Sequence, residues 1–254
     1  RGLGDVYKRQ VQTLRGIENF SISKFRLSEY PLFIKGLAIT KMAAAMANFE
    51  LGLLTVEQKD AIIAACGEII DGKHHDQFPV DMIQGGAGTT TNMNANEVIA
   101  NRALELMGHE RGEYQYCSPN DHVNCSQSTN DAYPTAIHIG MYFKHLQLLP
   151  HLEELIASFR KKGEEFSRII KMGRTQLEDA VPMTLGQTFN GFASILQDEI
   201  AHLNEAAVDF LVVNMGATAI GTGICAEPGY AEKCIAALRE TVSYTHLRAH
   251  ETLS

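Results

Sequence analysis

The sequence has 254 residues, of which 45% are hydrophobic and 20% charged, a composition typical of a globular protein of one or two domains. Its 22 basic and 30 acidic residues give a net charge of −8, so no basic surface indicates a nucleic-acid partner. Five cysteines, none of them in CxxC spacing, argue against a zinc site or a disulfide framework and favour a reducing cytoplasm.

The two ends of the sequence differ from the rest. Residues 1–10 have neither a helical nor a strand period, and residues 243–254 do not continue the helical pattern before them. We expect 1–10 to be a non-native leader and 243–254 a non-native tail, around an internal fragment of a longer protein. No apolar run is long enough to cross a membrane, and no signal peptide pattern opens the chain.

Three helices are predicted in the first half of the sequence. Residues 32–50 are rich in alanine and methionine and contain no proline, which favours a helix. Residues 55–71 open with Thr55 and carry Gln58 three residues later, the pattern of a capping box. A third helix is predicted over residues 94–106.

Two longer helices are predicted in the second half. Residues 185–210 carry an apolar stripe with seven steps over 25 residues, a mean of about 3.6, which is the α-helical period. A similar stripe spans 137–170, where we expect Pro150 to kink or divide the helix. Because helices of this length suit an extended bundle and strand signals are weak, we predict a mainly α protein. A small N-terminal α-rich domain would precede a long-helix bundle domain.

A tract of glycine, threonine and asparagine interrupts this helical pattern at residues 85–98 (GGAGTTTNMNANEV). A phosphate loop of the GxxxxGK[ST] type is excluded because no lysine follows the glycines. Glycines allow a tight turn with exposed N–H groups, and the hydroxyl of a residue such as Thr89 adds a donor suited to a carboxylate. On composition alone, a flexible loop capped by Thr or Asn before the next helix is the simpler interpretation.

A second polar stretch, residues 118–135 (SPNDHVNCSQSTNDAYPT), leads into the first long helix. Ser128, Thr129 and Asn130 are expected near the N-terminus of that helix, where unpaired N–H groups and a partial positive charge favour an anion. The same residue types are the preferred helix N-caps, so a purely structural role is equally open. We expect His122 to orient a neighbouring group rather than to act as a catalyst.

A third polar stretch, residues 172–188 (MGRTQLEDAVPMTLGQT), lies between the two long helices and contains Thr175 and Gln176. An interhelical loop is one interpretation of this stretch. For Arg174 we favour an ion pair with a neighbouring Glu178 or Asp179 over a role in substrate binding.

Taken together, the three stretches resemble the aspartase/fumarase superfamily, and within it the aspartase branch. The resemblance covers about residues 11–242 in collinear order. It rests on segments 85–108, 112–136 and 172–187, with further similarity at 11–20 and 76–84. It implies a homotetramer whose long central helices form a shared bundle. In this chain, 11–129 would be an N-terminal lyase domain and 130–242 an incomplete helical-bundle domain.

The resemblance also implies a reaction, which is the anti elimination of ammonia from L-aspartate through an aci-carboxylate to give fumarate. The expected partner is therefore a small dicarboxylate, with no nucleic acid and no membrane. Carried over position by position, the residues at the β-carboxylate would be Thr89, Ser128 and Thr129, and those near the amino group Asn130, Thr175 and Gln176. The resemblance implies no organic cofactor and no metal ligand, although magnesium activates some members of the family.

Two departures from the fumarase pattern favour the aspartase branch. Fumarases of the family usually carry histidine where this sequence has Ser118 and Gln176. The family's mobile GSS loop, which supplies a serine base, is not found in this sequence, so the catalytic base stays unassigned and we expect the chain alone to be inactive. Two alternatives stay open: a fumarate hydratase or another lyase of the superfamily, and a non-catalytic helical scaffold that keeps the fold.

Overall fold

A computed structural model describes residues 11–84, 86–242 and 247–249, and this part of the chain is mainly α-helical, as predicted. The α-helices are α1 (Val11–Asn19), α2 (Pro31–Glu50), α3 (Val56–Ile70), α4 (Thr89–Leu106), α5 (Thr129–Glu165), α6 (Leu185–Ala207) and α7 (Tyr230–Val242). The strands are β1 (Ile170–Thr175), β2 (Glu178–Thr184), β3 (Val212–Val213) and β4 (Arg248–Ala249). Short 3-10 segments occur at Leu27–Glu29, His75–Gln77 and Val208–Leu211, and a π-helical turn at Pro119–Val123.

The chain divides into two compact units. Of the described residues, those up to Met141 and those from Phe210 onward form the first, and Tyr142–Asp209 forms the second, so α5 contributes residues to both. The domain assignment made from the resemblance, with its boundary after residue 129, stays a prediction. The expected leader, 1–10, lies outside the described residues, as do 243–246 and 250–254 of the expected tail. Within the described part of that tail, β4 pairs in parallel with β3.

The core of the first unit is built around α2, which packs against α3 and α7. At Gly36 the helix approaches α5 so closely that a Cβ would lie 2.3 Å from the carbonyl oxygen of Ala136. Among the described residues, α2 is the one helix long and apolar enough to cross a membrane by length and composition, but 67% of that window is buried in the protein. The core helix of a compact domain is buried in the same way, so the length and composition of α2 are weak evidence that it crosses a membrane.

The predicted start of α3 is confirmed. Thr55 Oγ1 accepts from the Gln58 backbone N–H at 3.2 Å, and Gln58 Oε1 accepts from the Thr55 N–H at 3.1 Å. This reciprocal pair is a capping box, which satisfies two backbone donors that the helix itself leaves unpaired. Thr184 and Gln187 form the same arrangement at the start of α6.

The second unit joins the end of α5 to α6 through aromatic side chains. Phe159 lies 6.0 Å from Phe189 and 5.6 Å from Phe192, measured between ring centroids, and Phe166 lies 5.5 Å from Phe189. These rings belong to the apolar stripes that predicted the two long helices. α5 runs unbroken for 37 residues, so Pro150 does not divide it.

Candidate functional site

The threonine tract begins a helix rather than a loop. α4 starts at Thr89, five residues before the predicted start, so Thr89, Thr90 and Thr91 form its first turn. The cap comes from outside the helix, because Gln84 Oε1 accepts from the Thr91 N–H at 2.9 Å and Gln84 Nε2 donates to Thr91 Oγ1 at 2.5 Å. The first backbone N–H groups of α4 lack acceptors within the helix, as at any helix start. Thr89, the first residue of this turn, is exposed.

Gly88 fixes the direction in which the chain enters α4. It is the N-cap residue and has φ 88°, a left-handed conformation that glycine adopts without steric cost. A Cβ at this position would lie 2.4 Å from the Tyr133 ring of α5. Tyr133 is itself packed edge-on against Phe33 of α2, with 5.5 Å between ring centroids. The glycine therefore permits both the turn and the close approach of two helix starts.

The start of α5 is also capped, by Ser128. Ser128 Oγ accepts from the Asn130 N–H at 3.2 Å, and the Ser128 N–H donates to Asp131 Oδ1 at 2.9 Å. This confirms the N-cap interpretation of the second polar stretch. Thr129 lies in the same first turn, where the positive end of the helix dipole favours an anion.

One hydrogen bond connects the two helix starts. Asn92, one turn into α4, donates from Nδ2 to Thr129 Oγ1 of α5 at 3.2 Å. Asn92 is 1% exposed, so this bond lies beneath the surface that carries the hydroxyls. The three residues predicted to bind the β-carboxylate thus lie at two adjacent helix starts: Thr89 at that of α4, and Ser128 and Thr129 at that of α5.

A partly buried cluster of amide side chains, which the sequence did not predict, surrounds the fully buried Lys41. Lys41 Nζ donates to Asn124 Oδ1 and to Gln127 Oε1, each at 2.9 Å. Burial lowers the pKa of the Lys41 ammonium to about 7, although the carboxylate of Asp131 raises it. The available signal was a lysine placed among the alanines and methionines of a helix that is otherwise almost entirely core.

Asp131 and Asn130 connect α5 to the glycine-rich segment 216–223. Asp131 Oδ2 accepts from the Thr218 N–H at 3.1 Å, and Asn130 Nδ2 donates to the Ala219 carbonyl at 2.8 Å. Burial raises the pKa of the Asp131 carboxyl to about 6, against the lowering effects of the Ser128 N–H and the Lys41 charge. The bond to the Ala219 carbonyl holds the Asn130 side chain at the start of α5, beside the predicted carboxylate-binding residues.

Thr175 and Gln176 belong to the second unit, whereas the other predicted site residues belong to the first. β1 and β2 form an antiparallel hairpin that the sequence analysis did not predict, with Thr175 paired to Glu178 across a two-residue turn. The turn residues Gln176 and Leu177 have φ values of 49° and 70°. The side chains of Thr175 and Gln176 are both exposed. The expected ion pair of Arg174 is confirmed, at 3.5 Å from Asp179.

Among residues 11–84, 86–242 and 247–249, no group of three or more His, Cys, Asp or Glu side chains is arranged to hold a metal ion. His74 Nε2 instead lies 2.8 Å from Glu68 Oε2. His122 Nδ1 accepts from the Ser118 N–H at 2.7 Å, an orienting contact of the expected kind. Burial lowers the pKa of the His122 imidazole, which favours its neutral form. All five cysteines are free.

Comparison with known proteins decides the family. A family model described as Lyase matches residues 6–253. The chain belongs to this lyase family. Similar curated relatives include the aspartate ammonia-lyase of Pseudomonas canavaninivorans, 59% identical over 221 residues, which are 87% of this chain and 47% of the relative. The aspartate ammonia-lyase of Escherichia coli K12 is 50% identical over 244 residues, covering 96% of this chain and 51% of that enzyme.

Solved structures place the chain in the same superfamily. A fumarate lyase/delta crystallin from Brucella melitensis, in a crystal structure with bound cobalt, superposes with a TM-score of 0.94 at 50% identity, over 100% of this chain and 55% of that one. A class II fumarase from Schistosoma mansoni gives 0.84 at 35% identity, over 97% of this chain and 51% of that chain. The resemblance to the aspartase/fumarase superfamily is thereby confirmed. The chain spans about half the length of the relatives it matches.

Proposed function

We propose that this chain is part of an aspartate ammonia-lyase, which reversibly eliminates ammonia from L-aspartate to give fumarate. The observation that carries the proposal is the 3.2 Å hydrogen bond from Asn92 to Thr129, which joins two hydroxyl-rich helix starts into one surface. Hydroxyl and backbone donors at helix N-termini suit a carboxylate. Relatives that are 50–59% identical and named aspartate ammonia-lyase support the choice of substrate.

In the proposed chemistry, a base removes a proton from Cβ, anti to the departing ammonia. The electron pair moves into the β-carboxylate, which becomes an aci-carboxylate dianion. Donors from Thr89, Ser128 and Thr129 bind this dianion more strongly than the ground-state carboxylate, and that difference lowers the barrier. Asn130, Thr175 and Gln176 are proposed near the amino group, as the family resemblance implies.

Further groups must complete this site. The catalytic serine loop of the family is not found in these 254 residues, so we infer that the base comes from elsewhere in a longer protein and that the chain alone is inactive. We also propose a homotetramer, because exposed apolar residues on α5 and α6 need a partner surface. We propose that the enzyme uses no organic cofactor and acts in the cytoplasm. Magnesium, which activates some members of the family, would act on the full-length protein as an activator.

A fumarate hydratase is the second candidate, since a class II fumarase is 35% identical over 97% of this chain. The test is to assay the full-length protein on L-aspartate, L-malate and argininosuccinate, following fumarate by its ultraviolet absorbance. Our proposal predicts fumarate from L-aspartate with by far the highest kcat/KM. A preference for L-malate would replace it with the hydratase, and no turnover of any of the three would favour a non-catalytic scaffold.

A further inference from the structure

The hydrogen bonds of the amide cluster around Lys41 run in a fixed direction, which is set first at Asn124. One terminal atom of the Asn124 amide lies 3.2 Å from the backbone carbonyl of Gln127. A carbonyl oxygen only accepts hydrogen bonds, so the facing atom must be the amide nitrogen, and the other terminal atom is the oxygen. The side chain of Gln127 is oriented in the same way, because its nitrogen faces the carbonyls of Val123 at 2.9 Å and Cys125 at 3.1 Å.

Asn124 Oδ1 in turn determines which amide atom Asn92 and Asn96 turn toward it. It accepts from Lys41 Nζ at 2.9 Å and from the amide nitrogens of Asn92 and Asn96, each at 3.1 Å. An oxygen without a hydrogen requires donors opposite it, so Asn92 and Asn96 must both turn their NH₂ groups toward Asn124. Within the described residues, the oxygens Asn92 Oδ1 and Asn96 Oδ1 are buried without a partner. The orientation of these two amides is therefore set by their nitrogens.

Asn92 connects this chain of hydrogen bonds to the candidate site. Asn92 Nδ2 carries two hydrogens, of which one serves Asn124 Oδ1 and the other serves Thr129 Oγ1 at 3.2 Å. Because Thr129 Oγ1 accepts this bond, its own hydroxyl proton does not point at Asn92 and stays available to donate elsewhere. Asn92 is 1% exposed, so bulk water cannot take over its role.

We propose that Asn92 is a positioning residue, which holds the Thr129 hydroxyl as a donor aimed at the substrate carboxylate. The inference rests on the proposed function, in which Thr129 binds that carboxylate. Asn92 acts through Thr129 and does not itself contact the substrate. Its orientation derives from the backbone carbonyl of Gln127, through Asn124, and is reinforced by Lys41.

Asn96 offers a matched control. It lies one turn further along α4, is also buried, and donates to the same oxygen of Asn124 at the same distance of 3.1 Å. Unlike Asn92, it has no hydrogen bond to Thr129 among its contacts. Asn92→Ala and Asn96→Ala therefore each remove one hydrogen bond to Asn124 Oδ1, and only Asn92→Ala also removes the bond to Thr129.

The experiment is a double-mutant cycle in the full-length protein, with kcat/KM for L-aspartate as the readout. Thr129→Val, Asn92→Ala and their combination are compared, and Asn96→Ala is combined with Thr129→Val in the same way. We expect Asn92→Ala to lower kcat/KM strongly on the wild-type background and hardly at all on the Thr129→Val background. The Asn96→Ala and Thr129→Val effects should instead multiply, to within about the factor of two expected of independent sites.

The outcomes of this experiment distinguish a wrong role for Asn92 from a wrong assignment of Thr129 to the carboxylate. If Asn92→Ala and Thr129→Val multiply as independent changes do, Asn92 is structural and the inference is wrong, while the proposed function stands. If Thr129→Val alone leaves turnover unchanged, the assignment of Thr129 to the carboxylate is wrong and the inference falls with it. Should Asn92→Ala fail to fold, Asn92→Ser takes its place in the cycle. Asn92→Ser should likewise lower kcat/KM where Thr129 is present and have little effect on the Thr129→Val background.

Discussion

At the residue scale, Gly88 determines how the hydroxyl-rich turn is presented. Its φ of 88° is left-handed, a conformation that costs other residues about 1–2 kcal/mol. A methyl group would also meet the Tyr133 ring at 2.4 Å. Gly88→Ala should therefore lower the thermal unfolding midpoint and weaken substrate binding together. Its control is Gly67→Ala within α3, where a Cβ meets nothing within 4 Å and should leave the midpoint unchanged or raised. Equal effects of the two substitutions would contradict this account.

Asp81 anchors the chain just before the candidate site. Its buried carboxylate accepts hydrogen bonds from the Ser23 hydroxyl and N–H at 2.7 Å and from the Ile83 N–H at 2.8 Å, and it pairs with Arg26 at 3.1 Å. Desolvation raises the pKa of this carboxyl, but the hydrogen bonds outweigh it and lower the pKa from 3.8 to about 2.

A pH dependence follows from that shift. A carboxyl with a depressed folded-state pKa contributes stability that is present above its ordinary pKa and is lost as the pH falls toward the folded-state value. The thermal midpoints of the wild type and of Asp81→Asn should differ by a constant amount above about pH 4, and the difference should shrink as the pH falls toward about 2. A gap that stays constant down to the acid end of this range would show that the Asp81 charge is not the stabilising feature.

At the scale of elements, the β1–β2 hairpin is strained at its turn. Leu177 has φ 70° and is 95% exposed, so its side chain contributes little contact in return for an unfavourable backbone conformation. Leu177→Gly should remove about 1–2 kcal/mol of strain and slow amide hydrogen exchange in the hairpin. Leu177→Ala keeps the Cβ, so it should neither relieve the strain nor slow amide exchange. Equal exchange in both variants would mean that the turn is not strained.

The elements that the sequence predicted are those whose signals are local. The capping box at Thr55 and the apolar stripes of α5 and α6 depend on residues three or four positions apart, and the structure has them as expected. The start of α4 was placed five residues late because its cap, Gln84, lies outside the helix. The hairpin was missed because its turn, Gln176 and Leu177, lacks the usual Asn and Gly and most of its side chains are exposed.

The sequence predicted the hydroxyl residues at the candidate site, but not the contacts that hold them in place. Hydroxyl residues before an apolar helix, such as Ser128 and Thr129, indicate a helix start that suits an anion, and that much is visible in the sequence. The contacts beneath them join residues distant in the chain: Lys41 and Asn124 are 83 positions apart, and Asn92 and Thr129 are 37 apart. No periodicity reports such pairs, because they depend on how α2, α4 and α5 pack.

At the scale of the whole molecule, the chain leaves apolar positions uncovered. On the long helices these include Leu146, Leu148, Leu155, Phe192 and Ile195, which are 40–61% exposed. Surfaces of this kind are normally buried against a partner. We expect the isolated 254-residue chain to aggregate or associate non-natively in size-exclusion chromatography and to form no measurable fumarate from L-aspartate. A monodisperse monomer, or turnover by the purified chain, would contradict the proposal that it needs the rest of a longer protein.

The central claim is that the first turns of α4 and α5 bind the substrate carboxylate. Thr89→Val tests it most directly, because valine keeps the shape of threonine and removes the hydroxyl from an exposed position at the start of α4. Measured in the full-length protein, kcat/KM for L-aspartate should fall by about 10²–10³, the loss typical of removing one donor to a developing oxyanion, while the oligomeric state stays that of the wild type. Unchanged kinetics in a correctly assembled Thr89→Val protein would contradict the claim and leave the threonine tract a helix start without a role in binding.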